Sequence, residues 1–87
     1  MKVLLTGGLG VNGAWVTRAF VDRGLRPVVV DTRRDSSLLG DEYAERIDLE
    51  TADITDLPSM CDVLQRHAVD RVVHMAAVIL TAPEQLL

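Results

Sequence analysis

Thr6-Gly7-Gly8-Leu9-Gly10-Val11-Asn12-Gly13 lies between the apolar run Val3-Leu4-Leu5 and a stretch of helical pattern. Asp31 closes a second apolar run 18 residues beyond Gly13. Glycines at these spacings, between a strand and a helix and followed by an acidic strand end, form a dinucleotide-binding signature. Each part has a physical reason. Gly7 lets the chain turn sharply out of the strand, and Gly10, with no Cβ, lets a pyrophosphate approach the backbone. Gly13 allows the helix to pack closely on the sheet. Free N–H groups at the start of that helix then face the phosphates, helped by the helix dipole, and Asn12 suits a helix N-terminus. The other common phosphate loop needs Lys-Ser/Thr after its last glycine, whereas Gly13 precedes Ala14-Trp15 and the only lysine is Lys2.

These residues need rigid elements under them, and the apolar pattern supplies a repeated βα alternation. Strands are expected over 2–6, 26–31, 46–51 and 71–74. The first helix is expected from 11 or 12 to 23, burying Val16, Ala19 and Phe20, with Gly24 as its left-handed stop. Residues 32–45 read as a polar loop with a short helical turn. Asp56 is expected to cap a second long helix, with Pro58 in its first turn and Leu57, Met60, Cys61 and Leu64 on its apolar face. Right-handed crossovers then order the strands 3-2-1-4, an incomplete Rossmann-like, doubly wound parallel α/β sheet with a ligand across its carboxyl ends. Strand 4 is expected to have an open apolar edge, where further strands or a second copy of the chain could pair. Residues 1–87 thus read as one part of a longer dinucleotide-binding domain.

Composition restricts the function classes. Of the 87 residues, 48% are hydrophobic and 25% charged, as in a soluble globular chain. The net charge of -4 and the lack of a basic patch argue against nucleic acid as a partner. No apolar run reaches the roughly 18 residues that a membrane span needs, and Met1-Lys2-Val3 opens on a strand rather than a signal peptide, so a cytoplasmic location is expected. Cys61 is the only cysteine and is read as a core residue, with no metal-type spacing around it.

Thr6-Gly7-x-x-Gly10-x-x-Gly13, Asp31, Asp53-Ile54 and His74-Met75-Ala76-Ala77 together resemble the extended short-chain dehydrogenase/reductase family, which includes NAD-dependent epimerases and dehydratases of nucleotide sugars. The resemblance covers nearly the whole chain but only about the first third of a typical member. It implies that Gly7, Gly10, Val11, Asn12 and Gly13 hold a pyrophosphate, although position 12 is more often apolar in the family. Asp31 would take the adenosine ribose and disfavour the extra phosphate of NADP, a repulsion that Arg33 and Arg34 partly offset, so NAD is expected over NADP. Asp53 would meet the adenine amino group beside Ile54, and Ala76 and Ala77 would lie near the ribose and phosphates.

Plainer readings stand beside these. Asp53 also suits a turn that ends a strand, His74 a hydrogen-bonded structural role, His67 a helix C-terminus and Trp15 packing of the first helix. The family's catalysis needs Tyr-x-x-x-Lys, whereas Ile47 stands four positions after Tyr43, the only tyrosine. Thr81 is not assigned the family's serine/threonine role. The catalytic set and the substrate-binding part are thus expected outside these residues. Two functions remain open: the cofactor-binding part of an oxidoreductase-type epimerase, dehydratase or dehydrogenase whose small-molecule substrate binds only in the complete enzyme, or a non-catalytic dinucleotide sensor.

Overall fold

The computed structural model describes residues 1–76. Along the chain run β1 (Val3–Thr6), α1 (Val11–Asp22), β2 (Val28–Asp31), α2 (Asp41–Ala44), β3 (Asp48–Thr51), α3 (Leu57–Arg66) and β4 (Arg71–His74). The four strands form one sheet in the order β3-β2-β1-β4. All three pairings are parallel, with Leu5 opposite Val29 and Val73, and Val29 opposite Leu49. The expected fold class and strand order hold. The first three strands begin one or two residues later than the apolar pattern suggests, and Pro27, buried, precedes β2 where its missing N–H breaks no ladder.

The central strands are apolar on both faces because each face carries a helical layer. Val3, Leu5 and Val29 pack against Ala14 and Val21 of α1, with Leu39 and Ile47 completing that side. Leu4, Val28 and Val30 face Val63 of α3. Alternation along each strand thus divides β1 and β2 between two clusters, and both remain anchored below the carboxyl ends of the sheet.

The buried face of α1 differs from expectation. Gly13, Ala14, Thr17 and Val21 are buried, whereas Val16, Ala19 and Phe20 are only partly so. Small residues let the helix sit close to the glycine turn, and the Thr17 hydroxyl donates to the Gly8 carbonyl at 3.0 Å. Gly24, at φ +82°, ends the helix, with its N–H bonded to the Val21 carbonyl and that of Leu25 to Phe20. This pairing closes the last turn in a Schellman arrangement.

The face of α3 is also corrected. Val63 is its buried residue, Met60 and Leu64 are partly buried, and Leu57 and Cys61 are exposed. Arg66 and His67 both reach Glu50 on β3, and this attachment fixes the helix rotation so that Val63 faces the sheet and Cys61, about 200° away, faces outward. The Asp56 cap is present, accepting from the Ser59 N–H at 3.4 Å. Trp15 is a third correction: the residue is 70% exposed and its ring lies against the Arg18 guanidinium, 4.8 Å from the ring centroid, rather than packing α1 onto the core.

Among the described residues β4 pairs only with β1, and Val72 is 55% exposed. No described helix is long and apolar enough to cross a membrane.

Candidate functional site

A cavity of about 700 Å³ opens at the carboxyl ends of the four strands. Gly7, Gly10 and Val11 line it after β1, Asp31 and Arg33 after β2, Asp53 and Ile54 after β3, and Ala76 after β4. Segments separated by up to 69 positions in the chain are brought together by the parallel register, as expected for a switch point of an open α/β sheet. Asn12 and Gly13 lie one step back, in the first turn of α1. Ala77 and Thr81 lie outside the described residues.

The glycines divide the labour in a way their spacing alone does not show. Gly7 has φ +71°, and a Cβ there would lie 2.9 Å from the Ala76 nitrogen, so the turn after β1 and the chain after β4 touch at this glycine. At Gly13 a Cβ would meet the Gly8 Cα at 2.8 Å. The close approach is therefore between α1 and the glycine turn itself, rather than a strand. A Cβ on Gly10 would meet only the Gly7 carbonyl, at 3.5 Å, leaving the cavity side open for a ligand. Gly8 was not singled out from the sequence. It is buried, and a Cβ would lie 2.7 Å from Val29 Cγ1.

Gly10 is also the N-cap of α1, so Asn12 occupies the first turn without capping it, and no side chain caps the helix. Intrahelical bonding begins with the Ala14 N–H on the Gly10 carbonyl at 2.8 Å. The N–H groups of Val11, Asn12 and Gly13 precede that bond and have no carbonyl of their own helix to meet. A glycine cap, an uncapped first turn and an open side at Gly10 fit an anionic group.

Asp31 spans two parts of the rim. Oδ2 accepts from the Leu9 N–H and Oδ1 from the Arg33 N–H, each at 3.4 Å. Arg33 is exposed beside it, whereas Arg34 turns away to donate to Thr51 Oγ1 at 3.1 Å. Asp53 Oδ1 accepts from both the N–H and the hydroxyl of Thr55, at 2.9 and 2.7 Å, and these bonds hold its carboxyl below the usual range. The turn role and the place on the cavity wall therefore coexist in one residue.

Thr6 is the supporting residue that the sequence reading missed. Its buried hydroxyl accepts from the Met75 and Ala76 N–H groups at 2.9 and 3.2 Å and stands 2.7 Å from His74 Nδ1. With both acceptances made, hydrogen-bond accounting directs the hydroxyl proton to Nδ1 and assigns the ring proton to Nε2. His74 is thus hydrogen-bonded into the structure, and the parallel register, which sets Thr6 opposite it, is the signal that could have revealed the pair. Tyr43 does not line the cavity. Its hydroxyl donates to Asp22 at 2.9 Å, and that bond raises the phenol above its usual pKa, the opposite of what a proton-transferring tyrosine requires.

Sheet order, glycine turn and acidic strand end define a Rossmann-like α/β chain with an open cavity at its switch point. The family model described as "NAD dependent epimerase/dehydratase family" matches residues 3–85, and the chain belongs to that family. It is 38% identical over 82 residues to dTDP-glucose 4,6-dehydratase 1 of Escherichia coli, which covers 88% of this chain and 23% of that protein. A crystal structure of UDP-glucose-4-epimerase from Stenotrophomonas maltophila, with bound NAD and formylated UDP-arabinopyranose, is similar at 32% identity and TM-score 0.77. That match covers 92% of this chain and 25% of the epimerase. The Bordetella bronchiseptica enzyme WbmG, crystallised with NAD, shares the fold at TM-score 0.81 and 20% identity over 99% of this chain and 28% of its own. The chain thus spans about a quarter of the length of the relatives it matches.

Proposed function

We propose that residues 1–87 form the amino-terminal part of the NAD-binding domain of an epimerase, dehydratase or dehydrogenase of nucleotide sugars. The observation that carries this reading is the cavity wall, where an uncapped helix start, an open Gly10 and the Asp31 carboxylate face one space. Kinship with an NAD-bound epimerase and a dTDP-glucose dehydratase supports the cofactor and substrate class.

The N–H groups of Val11 and Asn12 hold the pyrophosphate over Gly7 and Gly10, and Gly13 keeps the helix start close enough for them to reach it. Asp31 accepts from the adenosine ribose and repels a 2′-phosphate, so NAD is preferred, while the exposed Arg33 beside it softens that preference. Asp53 and Ile54 receive the adenine, and the small side chain of Ala76 leaves room for the ribose and phosphates. NAD, when bound, supplies a carbon that takes up a hydride and returns it. The chain's own residues bind and orient the cofactor, and the proton-transferring groups belong to the complete enzyme, in the cytoplasm where nicotinamide cofactors are available.

Calorimetric titration of the purified chain with NAD and NADP tests the reading. Saturable NAD binding, tighter than that of NADP, is expected. NADP binding as tight as that of NAD overturns the cofactor assignment, and a folded chain that takes up neither means that the rest of the domain completes the site.

A further inference from the structure

The wall on the Asp31 side of the cavity is a segment with little structure of its own. Residues 32–40 contribute Thr32, Arg33, Asp35 and Leu38 to the cavity, yet contain only turns, such as the Ser36 carbonyl accepting from the Leu39 and Gly40 N–H groups. Leu39 is buried at 2% exposure and anchors one end, whereas Leu38 is 56% exposed. Among the described residues, besides backbone bonds at its two ends, to Asp31 of β2 and Ala44 of α2, two side-chain ties hold the segment to elements distant in the chain. One is Arg34 to Thr51, and the other comes from α1.

That second tie is Arg18. Its Nη1 donates to the Leu38 carbonyl at 2.8 Å and to the Leu39 carbonyl at 3.4 Å. The guanidinium is held in place by aromatic rings, 4.8 Å from the Trp15 centroid and 6.0 Å from that of Tyr43. One turn further along α1, Asp22 accepts from the Tyr43 hydroxyl at 2.9 Å, so the same helix face also grips α2, which follows the segment. The helix whose uncapped first turn faces the cavity therefore also fixes, through one charged side chain, the loop that forms another wall of it. Neither Arg18 nor Trp15 lines the cavity.

We infer that Arg18 is a positioning residue for the adenosine half of the site: it sets the distance between the 32–40 wall and the start of α1 without touching the ligand. This inference rests on the cofactor-binding reading above. Removing the guanidinium frees two backbone carbonyls and lets the wall drift. Ligands that use this wall should lose affinity, and a lysine, which can still donate to the same carbonyls, should restore much of it.

The test compares the full wild-type chain with Arg18→Met and Arg18→Lys, titrating each with NAD and with ADP-ribose, which has the adenosine half but no nicotinamide. Arg18→Met is expected to weaken both ligands about tenfold, as loss of a charge-assisted hydrogen bond implies. Arg18→Lys is expected to stay within about threefold of wild type. Thermal melting without ligand checks that each variant folds, and the recovery with lysine is what nonspecific loss of packing would not produce. Unchanged affinity in Arg18→Met, or equal loss in the methionine and lysine variants, overturns the inference while leaving cofactor binding intact. A folded wild-type chain that binds neither ligand removes the site, and the role of Arg18 with it.

Discussion

Asp31, at the end of β2, accepts a hydrogen bond from the Leu9 N–H within the glycine turn after β1, at 3.4 Å. The residue proposed to take the ribose therefore also ties the second strand to the glycine turn. Its second oxygen does the same for the backbone of Arg33. Asp31→Asn keeps the shape and one acceptor oxygen but removes the charge. NAD affinity is expected to fall about tenfold, with a smaller change for NADP as the repulsion disappears, so the preference narrows. Parallel titrations of the two cofactors measure it, and an unchanged ratio of affinities would show that Asp31 does not set the preference.

The glycines offer a separation of binding from folding. A methyl at Gly13 would press on the backbone of Gly7 and Gly8, whereas one at Gly10 would make only an ordinary contact. Gly13→Ala is expected to destabilise the chain by about 1–3 kcal/mol, as overpacking against backbone does. Gly10→Ala should leave the denaturation midpoint almost unchanged and still weaken NAD, because its methyl enters the space proposed for the pyrophosphate. Urea denaturation and cofactor titration on the same two proteins distinguish these effects.

The backbone plan was legible because its signals are local and repeat. Valine-rich runs, Gly24 after a helical stretch and Asp56 before Leu57-Pro58 mark strand, stop and cap without reference to distant residues. Helix faces were harder to read. Ala14 and Thr17 have weaker apolar signals than Val16 and Phe20, yet they are buried because small side chains fit against the glycine turn, a condition set by the fold. Cys61 was misplaced for a related reason: Glu50, 11 positions earlier, holds Arg66 and His67 and so fixes which side of α3 faces the sheet. In the candidate site, residues within motifs could be named from their spacing. The bonds from Thr6 to Ala76 and from Arg18 to Leu38 join distant segments and became visible only with the register.

Thr6 provides a test of the supporting layer. Thr6→Val preserves volume at a buried position but leaves the Ala76 N–H without the acceptor it has here, while Met75 keeps its bond to the Thr6 carbonyl at 3.1 Å. A loss of about 1–3 kcal/mol is expected in urea unfolding. Thr6→Ser, which retains the hydroxyl, should recover most of it. Nitrogen-15 shifts of His74 provide a second readout, because the proposed proton on Nε2 depends on Nδ1 accepting from Thr6. Wild-type stability in the valine variant would mean that the loop after β4 is held by other contacts.

Acid should loosen the chain through Glu50. Its carboxylate takes two hydrogen bonds from Arg66, at 2.8 and 3.2 Å, and one contact with His67 at 2.7 Å. Arg66 first and His67 second hold it down to about 2, against an ordinary value of 4.5. A depressed folded-state pKa means that the contribution to stability is complete above about 4.5 and is lost as pH falls from there towards 2. Because the pair is partly exposed, solvent screening reduces that contribution to on the order of 1–2 kcal/mol. Asp48, held below its ordinary value by Arg26 and Lys2, adds a slope of the same sign and is left in place in the variant. Glu50→Gln is therefore expected to be less stable than wild type at pH 7, with the difference closing as the pH drops through this window. Urea midpoints at several pH values between 7 and 2 give the comparison, and parallel curves for the two proteins would show that the β3–α3 attachment is not what titrates.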